Sequence, residues 1–188
     1  QGDEADAALV RAREALPQAA RPLVLAGLRA ARRGDHAEVL SLWGVLMVAH
    51  PAAFNLVALD YARSALASGG AAAAAERLRE RYTRAPTMDL LDALGVLDPD
   101  PERRRARLLA HLRNHPTLSA AKALITQSDP ASYTAVETQA LGDAIGRAAQ
   151  PLHRYRCAAC GFEAQHYFWQ CPGCLSWDSY PPQRLEDL

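Results

Sequence analysis

The four cysteines of this chain lie close together near its C-terminus and form two pairs. The spacing is C-x2-C-x10-C-x2-C, and the residues are Cys157, Cys160, Cys171 and Cys174. Two residues between thiolates allow a tight turn that directs both sulfurs at one ion, and two such turns supply the four ligands of a tetrahedral site. We therefore predict a metal site here, rather than a pair of disulfides or free buried thiols.

The identity of the metal stays open between iron and zinc, because four thiolates accept either ion. A closed four-sulfur site leaves no open position for a substrate, which argues against metal-assisted hydrolysis. His153 and His166 lie nearby in the sequence. Since four thiolates already complete a tetrahedral shell, we interpret both histidines as non-ligands.

The residues around the cysteines suit a small module with tight turns. Gly161 follows the first pair, where a turn needs a positive φ, and Pro172 and Gly173 suit the bend of the second pair. Seven of the twelve aromatic residues lie between 153 and 188, namely Tyr155, Phe162, Tyr167, Phe168, Trp169, Trp177 and Tyr180. Because so small a module cannot fold on its own core, we expect the metal to supply folding energy and some rings to face outward.

The remainder of the chain has a helical pattern that repeats at a regular interval. Helix-like segments are followed by prolines with spacings of 34, 35, 30 and 35 residues, at Pro17, Pro51, Pro86, Pro116 and Pro151. Proline just beyond a helix end is expected, because its ring and missing N–H prevent the helix from continuing. A period of about 34 residues is typical of tetratricopeptide repeats, which are pairs of packed helices.

Small and large residues fall where the two helices of such a repeat must touch. In the best-formed repeat these are Leu23, Ala26 and Gly27 in the first helix, Gly34 in the turn and Trp43 in the second helix. The next repeat has Ala58, Tyr61 and Ala62, then Gly69, then Ala74 and Leu78. An unrelated all-α bundle with proline-terminated helices is the alternative.

The fold class is therefore predicted as mainly α, a tetratricopeptide-type α-solenoid with a small C-terminal rubredoxin-like or zinc-ribbon β module. We place the helical repeats at residues 1–151 and the four-cysteine module at residues 152–188. The first segment, ending at Pro17, has the length of a second helix without a first helix before it. Because stacked repeats bury their faces only against neighbours, we expect further repeats upstream.

Composition and motifs favour a binding protein over an enzyme or a nucleic-acid binder. Basic and acidic residues both number 21, so the formal net charge is zero and no nucleic-acid partner is expected. The helical region contains no glycine-rich phosphate loop, nucleophile elbow or zincin motif. The arginine-rich runs, such as Arg77, Arg79, Arg81 and Arg84, are interpreted as solvated helix faces, with a protein-binding patch as the alternative.

The C-terminal stretch resembles the rubredoxin-like module of the lipopolysaccharide assembly protein B family (LapB). The stretch reads "YRCAACGFEAQHYFWQCPGCLSWDSYPPQRLEDL". The matching features are Tyr155-Arg156-Cys157, Cys160-Gly161-Phe162, Trp169 two residues before Cys171-Pro172, Trp177 three residues after Cys174 and a C-terminus at Leu188. The ending "LEDL" departs from the Asp-Gly-Leu ending of the family. RadA-type DNA repair ATPases carry a similar ribbon, but at the N-terminus and before a P-loop domain.

This resemblance implies a non-enzymatic adaptor that regulates lipopolysaccharide synthesis. Members of the family promote degradation of the deacetylase LpxC by the membrane protease FtsH, so both proteins are expected partners, together with other lipopolysaccharide-assembly proteins and a second copy of the chain. The four cysteines would bind one iron or zinc ion. The full-length protein would lie on the cytoplasmic face of the bacterial inner membrane, held by an anchor that this chain lacks, and the chain itself is expected to be soluble, since it has no apolar run of about 18 residues.

Two other functions remain open from the residues alone. A true rubredoxin centre with iron would transfer electrons. A generic repeat scaffold with a structural zinc ribbon would bind proteins unrelated to lipopolysaccharide.

Overall fold

A computed structural model describes residues 2–17, 19–115, 117–126, 142 and 145–187. The helices are α1 (Gly2–Ala15), α2 (Ala20–Arg33), α3 (His36–Ala49), α4 (Pro51–Phe54), α5 (Ala58–Ala67), α6 (Ala71–Arg84), α7 (Met88–Leu97), α8 (Pro101–Asn114) and α9 (Leu118–Thr126), with a short helical stretch at 145–149. Two short strands follow, β1 (Tyr155–Arg156) and β2 (Glu163–Ala164), and 3-10 turns occupy Asn55–Val57 and Leu185–Asp187. The prediction of a mainly helical chain with a small C-terminal β module is confirmed.

The chain forms two compact units. The first unit comprises residues 1–85 and 92–97, and the second unit comprises residues 86–91 and 98–188. The cysteine-rich module lies in the second unit, together with α8 and α9. The predicted domain boundary between residues 151 and 152 stays a prediction.

Two helix pairs of the first unit repeat the same local geometry 35 residues apart. Gly34 ends α2 with a φ of 74°, and Gly69 follows α5 with a φ of 75°. The next amide in each turn bonds back to a helix carbonyl, from Asp35 N–H to Ala30 O at 3.0 Å and from Gly70 N–H to Ala65 O at 2.8 Å. Matching turns at this interval are consistent with tetratricopeptide-like repeats.

In the core of the first unit, a large side chain packs against a glycine. Trp43 of α3 is fully buried, and its indole Nε1 lies 2.1 Å from the position that a Cβ would occupy at Gly27 of α2. A side chain at Gly27 is therefore incompatible with the present position of the indole. The equivalent positions of the next pair are also buried: Ala58, Tyr61 and Ala62 in the first helix and Leu78 in the second.

The structure departs from the simple helix-pair pattern in the first helix of the second pair. α4 and α5 are separated by the 3-10 turn Asn55–Val57, in which Val57 has a φ of −125°. Asn55 and Ala58 keep right-handed helical backbone, with φ values of −55° and −56°. The chain therefore stays helical on both sides of Val57, and Asn55 and Val57 are buried.

The next helix along the chain, α7, is shorter than the helix that follows it. α7 has 10 residues and α8 has 14. Between them, the carboxylate of Asp100 accepts a hydrogen bond from Arg103 N–H at 2.8 Å, and Pro101 occupies the first turn of α8. This is an N-terminal cap followed by the residue best suited to the first helical position. α8 ends at Asn114, two residues before Pro116. Pro116 itself and half of the residues from there to Pro151 lie outside the described residues.

Among the described residues, no helix combines the length and apolar character needed to cross a bilayer.

The close approach at Gly27 gives a test of the helix-pair core. Gly27→Ala should lower the free energy of unfolding by about 1–3 kcal/mol, because the added methyl group must displace the buried indole. Gly44→Ala is the matched control in α3, since its nearest neighbour would be Arg77 Nη1 at 3.7 Å. It should be neutral or stabilise by up to about 1 kcal/mol. Urea unfolding measures both, and equal effects of the two variants would contradict this packing.

Candidate metal centre

The cysteine-rich module is built from two turns of the same construction, here called knuckles. The first knuckle is 157–162 and the second is 171–176. In the first, Gly161 N–H bonds to Cys157 O at 2.8 Å and Cys157 N–H bonds to Phe162 O at 2.9 Å. In the second, Leu175 N–H bonds to Cys171 O at 2.8 Å and Cys171 N–H bonds to Ser176 O at 2.9 Å. A shift of 14 residues relates the two knuckles.

Each knuckle is closed at its base by paired backbone. β1 and β2 pair antiparallel around the first knuckle, with Arg156 opposite Glu163, and an antiparallel bridge joins Gln170 to Trp177 around the second. Arg156 and Glu163 also form an ion pair, with Arg156 Nη2 2.7 Å from Glu163 Oε1. We call residues 155–182, which contain both knuckles, the ribbon.

The two knuckles bring their four sulfur atoms together. Cys157 Sγ lies 3.9 Å from Cys174 Sγ, Cys160 Sγ lies 3.7 Å from Cys171 Sγ, and all four atoms are within 4.8 Å of one another. A tetrahedral zinc site with bonds of about 2.3 Å has sulfur atoms about 3.8 Å apart, so the spacing fits one ion. In each knuckle the first cysteine is buried and the second is exposed.

The electrostatics of the thiols also favour a cation between them. The Ser179 hydroxyl lies 3.2 Å from Cys157 Sγ, and its hydrogen bond lowers the pKa of that thiol to about 6. At Cys160 the Phe162 backbone bond favours the thiolate, but burial and the neighbouring sulfurs of Cys174 and Cys157 outweigh it and raise the pKa to about 12. Deprotonation of one thiol therefore opposes deprotonation of the next until a metal ion neutralises the cluster.

Aromatic side chains form the remaining core of the ribbon. Tyr167 makes edge contacts with Tyr155, Trp169 and Tyr180 at ring-centre distances of 5.6, 5.0 and 6.3 Å. The Tyr180 hydroxyl donates to Phe162 O at 3.2 Å and is 3.9 Å from Cys171 Sγ. Burial and this sulfur raise the pKa of Tyr180 to about 12, so the ring stays a neutral donor beside the cluster. Other rings are exposed, as expected: Phe162, Phe168 and Trp177.

The two glycines singled out in the sequence have different roles. Gly161 has a φ of 77°, as predicted, in a conformation that favours glycine. In the second knuckle the equivalent left-handed position is held by Leu175, with a φ of 61°, and not by Gly173. A Cβ at Gly173 would lie 3.3 Å from the Phe162 side chain. Gly173 lies in the turn of the second knuckle, as expected, and its lack of a side chain also admits the Phe162 ring.

The end of the chain fastens the ribbon to the helices of the second unit. We call residues 183–187 the docking tail. Leu185 N–H bonds to Arg154 O at 2.9 Å, and Glu186 N–H bonds to Leu152 O at 3.2 Å, so the tail runs beside the segment that precedes β1. The Ser119 hydroxyl of α9 lies 2.6 Å from Glu186 Oε1 and also contacts His153 Nε2. His153 therefore contacts the docking helix α9 and not the cysteines, which is consistent with its interpretation as a non-ligand.

A second polar contact ties the tail to the first residues of α7. Arg184 Nη2 lies 3.2 Å from Asp89 Oδ1. Burial raises the pKa of Asp89 above its ordinary value, although Arg184 opposes the shift. Burial, together with the nearby Asp89 and Glu186 carboxylates, raises the pKa of Asp187 to about 6. We call these contacts of the docking tail the dock. It places three carboxyl groups, those of Asp89, Glu186 and Asp187, around Arg184.

Sequence reasoning did not find the residues of this dock. Ser119 and Glu186 are 67 residues apart, and Asp89 and Arg184 are 95 residues apart. Neither pair has a motif or a fixed spacing, so a single sequence carries no signal for them.

Comparison with known proteins gives matches at the ribbon. A family model described as a rubredoxin metal binding domain, of the LapB type, matches residues 155–182. Lipopolysaccharide assembly protein B from Escherichia coli strains K12, O6:H1 and O157:H7 is 41% identical to this chain over 44 residues. The matched segment is 23% of this chain and 11% of each relative.

Removal of a single sulfur tests the metal site. Cys171→Ser should reduce bound metal from one ion per chain to below about a tenth and should lower the unfolding midpoint of the second unit by on the order of 10 °C, because the metal supplies folding energy. Elemental analysis and thermal unfolding measure the two effects. The control is His166→Ala, an exposed neighbour interpreted as a non-ligand, which should keep its metal. Unchanged metal content in Cys171→Ser would contradict a four-cysteine site.

The raised pKa of Asp187 predicts that acid strengthens the dock. The pKa of Asp187 in the folded chain, about 6, exceeds the ordinary 3.8, so ionisation of this carboxyl destabilises the dock. The dock is therefore most stable below pH 3.8 and loses stability as the pH rises through 6. Asp187→Asn should therefore raise the hydrogen-exchange protection of the Leu185 and Glu186 amides at about pH 8, and the gain over wild type should vanish towards about pH 4. Lower protection in Asp187→Asn at the higher pH would refute this sign.

Proposed function

We propose that this chain, whose C-terminal ribbon is a rubredoxin metal-binding domain of the LapB type, is a non-enzymatic adaptor that regulates lipopolysaccharide assembly. The observation that carries the proposal is the ribbon's match to lipopolysaccharide assembly protein B, joined here to helix pairs as that resemblance implies. The adaptor acts through protein–protein contacts, and its partners are the protease FtsH and the deacetylase LpxC. In this proposal it promotes proteolysis of LpxC by FtsH at the cytoplasmic face of the inner membrane.

The form of the metal site supports an adaptor role. Four thiolates would hold the ion in a closed tetrahedral shell, and such a shell stabilises structure without offering a site to a substrate. The dock through Ser119, Glu186 and Arg184 holds the ribbon against helices of the same unit. The metal would therefore maintain a rigid binding surface made of the ribbon and its neighbouring helices.

Electron transfer is the second candidate, and the position of two sulfurs favours it. Cys160 and Cys174 are exposed, so an iron ion at this site would lie close to the surface. Visible ferric-thiolate absorption that bleaches reversibly with dithionite would support this candidate. Stoichiometric zinc in protein purified from its native host would remove it.

A crosslinked pull-down from inner membranes tests the adaptor. The chain should enrich FtsH and LpxC by at least about tenfold over an unrelated repeat protein, as expected for a specific interface. The Cys171→Ser variant should lose most of this enrichment if the ribbon contributes to the contact, while His166→Ala, which keeps its metal, should retain it. Mass spectrometry identifies the captured proteins. Enrichment of neither protein by the metal-loaded chain would refute the proposal.

A further inference from the structure

We propose that a groove between α3 and α6 of the first unit binds an acidic amphipathic helix of a protein partner. The groove has a volume of about 850 Å³ and is lined on one side by Leu40, Gly44, Val45 and Val48 and on the other by Arg77 and Arg81. We call it the α3–α6 groove. It lies between the second helices of two successive pairs, and the first helices α2 and α5 contribute no lining residue.

One wall of the groove is an apolar helix face that the described residues cover only in part. α3 is apolar around most of its circumference, and its other face supplies the buried Val39, Trp43 and Leu46. On the groove side Val48 is 82% exposed and Val45 is 43% exposed. A helix that is apolar on all sides is normally covered on all sides. The α3 face in the groove therefore has the character of a binding surface.

The other wall carries guanidinium groups that lack acidic partners. Arg77, Arg81 and Arg84 are four and three residues apart and so share one face of α6. Arg84 pairs with Glu80, whereas Arg77 and Arg81 have no carboxylate within ion-pair distance in the described part of the chain. Arg79, outside the groove, pairs with Glu76 at 3.0 Å. The groove thus has two unneutralised positive charges.

Both arginines line the groove, and Arg81 is partly desolvated. Arg77 Nη1 lies 3.7 Å from the position of a Cβ at Gly44, so this guanidinium reaches the α3 wall. Arg81 is half-buried, and its Nε is enclosed without a hydrogen-bond partner among the described residues. Burial and the like charge of Arg84 lower the pKa of Arg81. A carboxylate placed between these groups would relieve the repulsion.

Charge and shape together define the occupant. Guanidinium groups opposite an apolar strip are complementary to a segment with carboxylates on one face and apolar side chains on another. An acidic amphipathic helix has this pattern. Along α3 the groove extends from Leu40 to Ala49, a length of about 14 Å, which is between two and three helical turns. The proposal does not depend on FtsH or LpxC as partners. Peptide binding and the membrane pull-down can therefore fail independently.

The test is a pair of peptides titrated with the 188-residue chain. The first is a fluorescein-labelled helix of about 14 residues, with leucine on one face and glutamate and aspartate on the other. The second replaces every acidic residue with lysine. Fluorescence anisotropy should show binding of the acidic peptide at least about tenfold tighter than that of the basic peptide.

Substitutions in the groove identify the binding site. The double variant Arg77→Gln/Arg81→Gln should weaken the acidic peptide about tenfold, and Val48→Asp should do so independently, by placing a like charge on the apolar wall. Arg79→Gln, on the same helix outside the groove, should change the affinity by less than about twofold. Val48, Arg77 and Arg79 are exposed and Arg81 is half-buried, and circular dichroism verifies that each variant is folded.

Four results would overturn the proposal. The first is equal binding of the acidic and basic peptides, and the second is no binding of the acidic peptide at millimolar concentration. The third is unchanged affinity in the double variant. The fourth is that the peptide does not bind but Arg77 and Arg81 are required for another interaction. Binding to phosphatidylglycerol vesicles would assign the groove to a lipid surface, and formation of a dimer would assign it to a second copy of the chain.

Discussion

Repulsion among four sulfur atoms is the constraint on which the ribbon depends. They lie within 4.8 Å of one another, and the aromatic residues around them form too small a core to oppose several negative charges. The neighbours have already lowered the pKa of Cys157 and raised that of Cys160, so the cluster favours a partly protonated state without a cation. A bound metal ion removes this conflict, and the knuckles, the Tyr180 contact and the dock then rest on a defined centre.

Features that depend on nearby residues could be predicted from the sequence. The cysteine spacing indicates the four-sulfur cluster because each knuckle closes within a few residues. The proline interval likewise indicates the helix pairs, and the turns at Gly34 and Gly69 occur 35 residues apart. Even the contact of Gly27 with Trp43 follows from a small residue facing a large one at repeat-specific positions.

Features that depend on distant or equivalent-looking residues could not be predicted. Leu175 takes the left-handed position in the second knuckle, although a glycine, Gly161, holds the equivalent position in the first. Gly173 lies against the side chain of Phe162, a contact between the two knuckles that no local pattern indicates. The arginines of α6 look alike in sequence and were interpreted as a solvated face. Only the fold separates Arg79, which has an acidic partner, from Arg77 and Arg81, which face an apolar wall.

The long separation of the docking contacts has a consequence for the order of folding. Each knuckle closes a loop of a few residues, whereas the contact between Asp89 and Arg184 closes a loop of 95 residues. The entropy of loop closure rises with length, and contacts of high sequence separation form slowly. The knuckles can therefore capture their metal before the tail finds α7, so that the metal-loaded ribbon forms early and its attachment to the helices is the slow, late step of assembly.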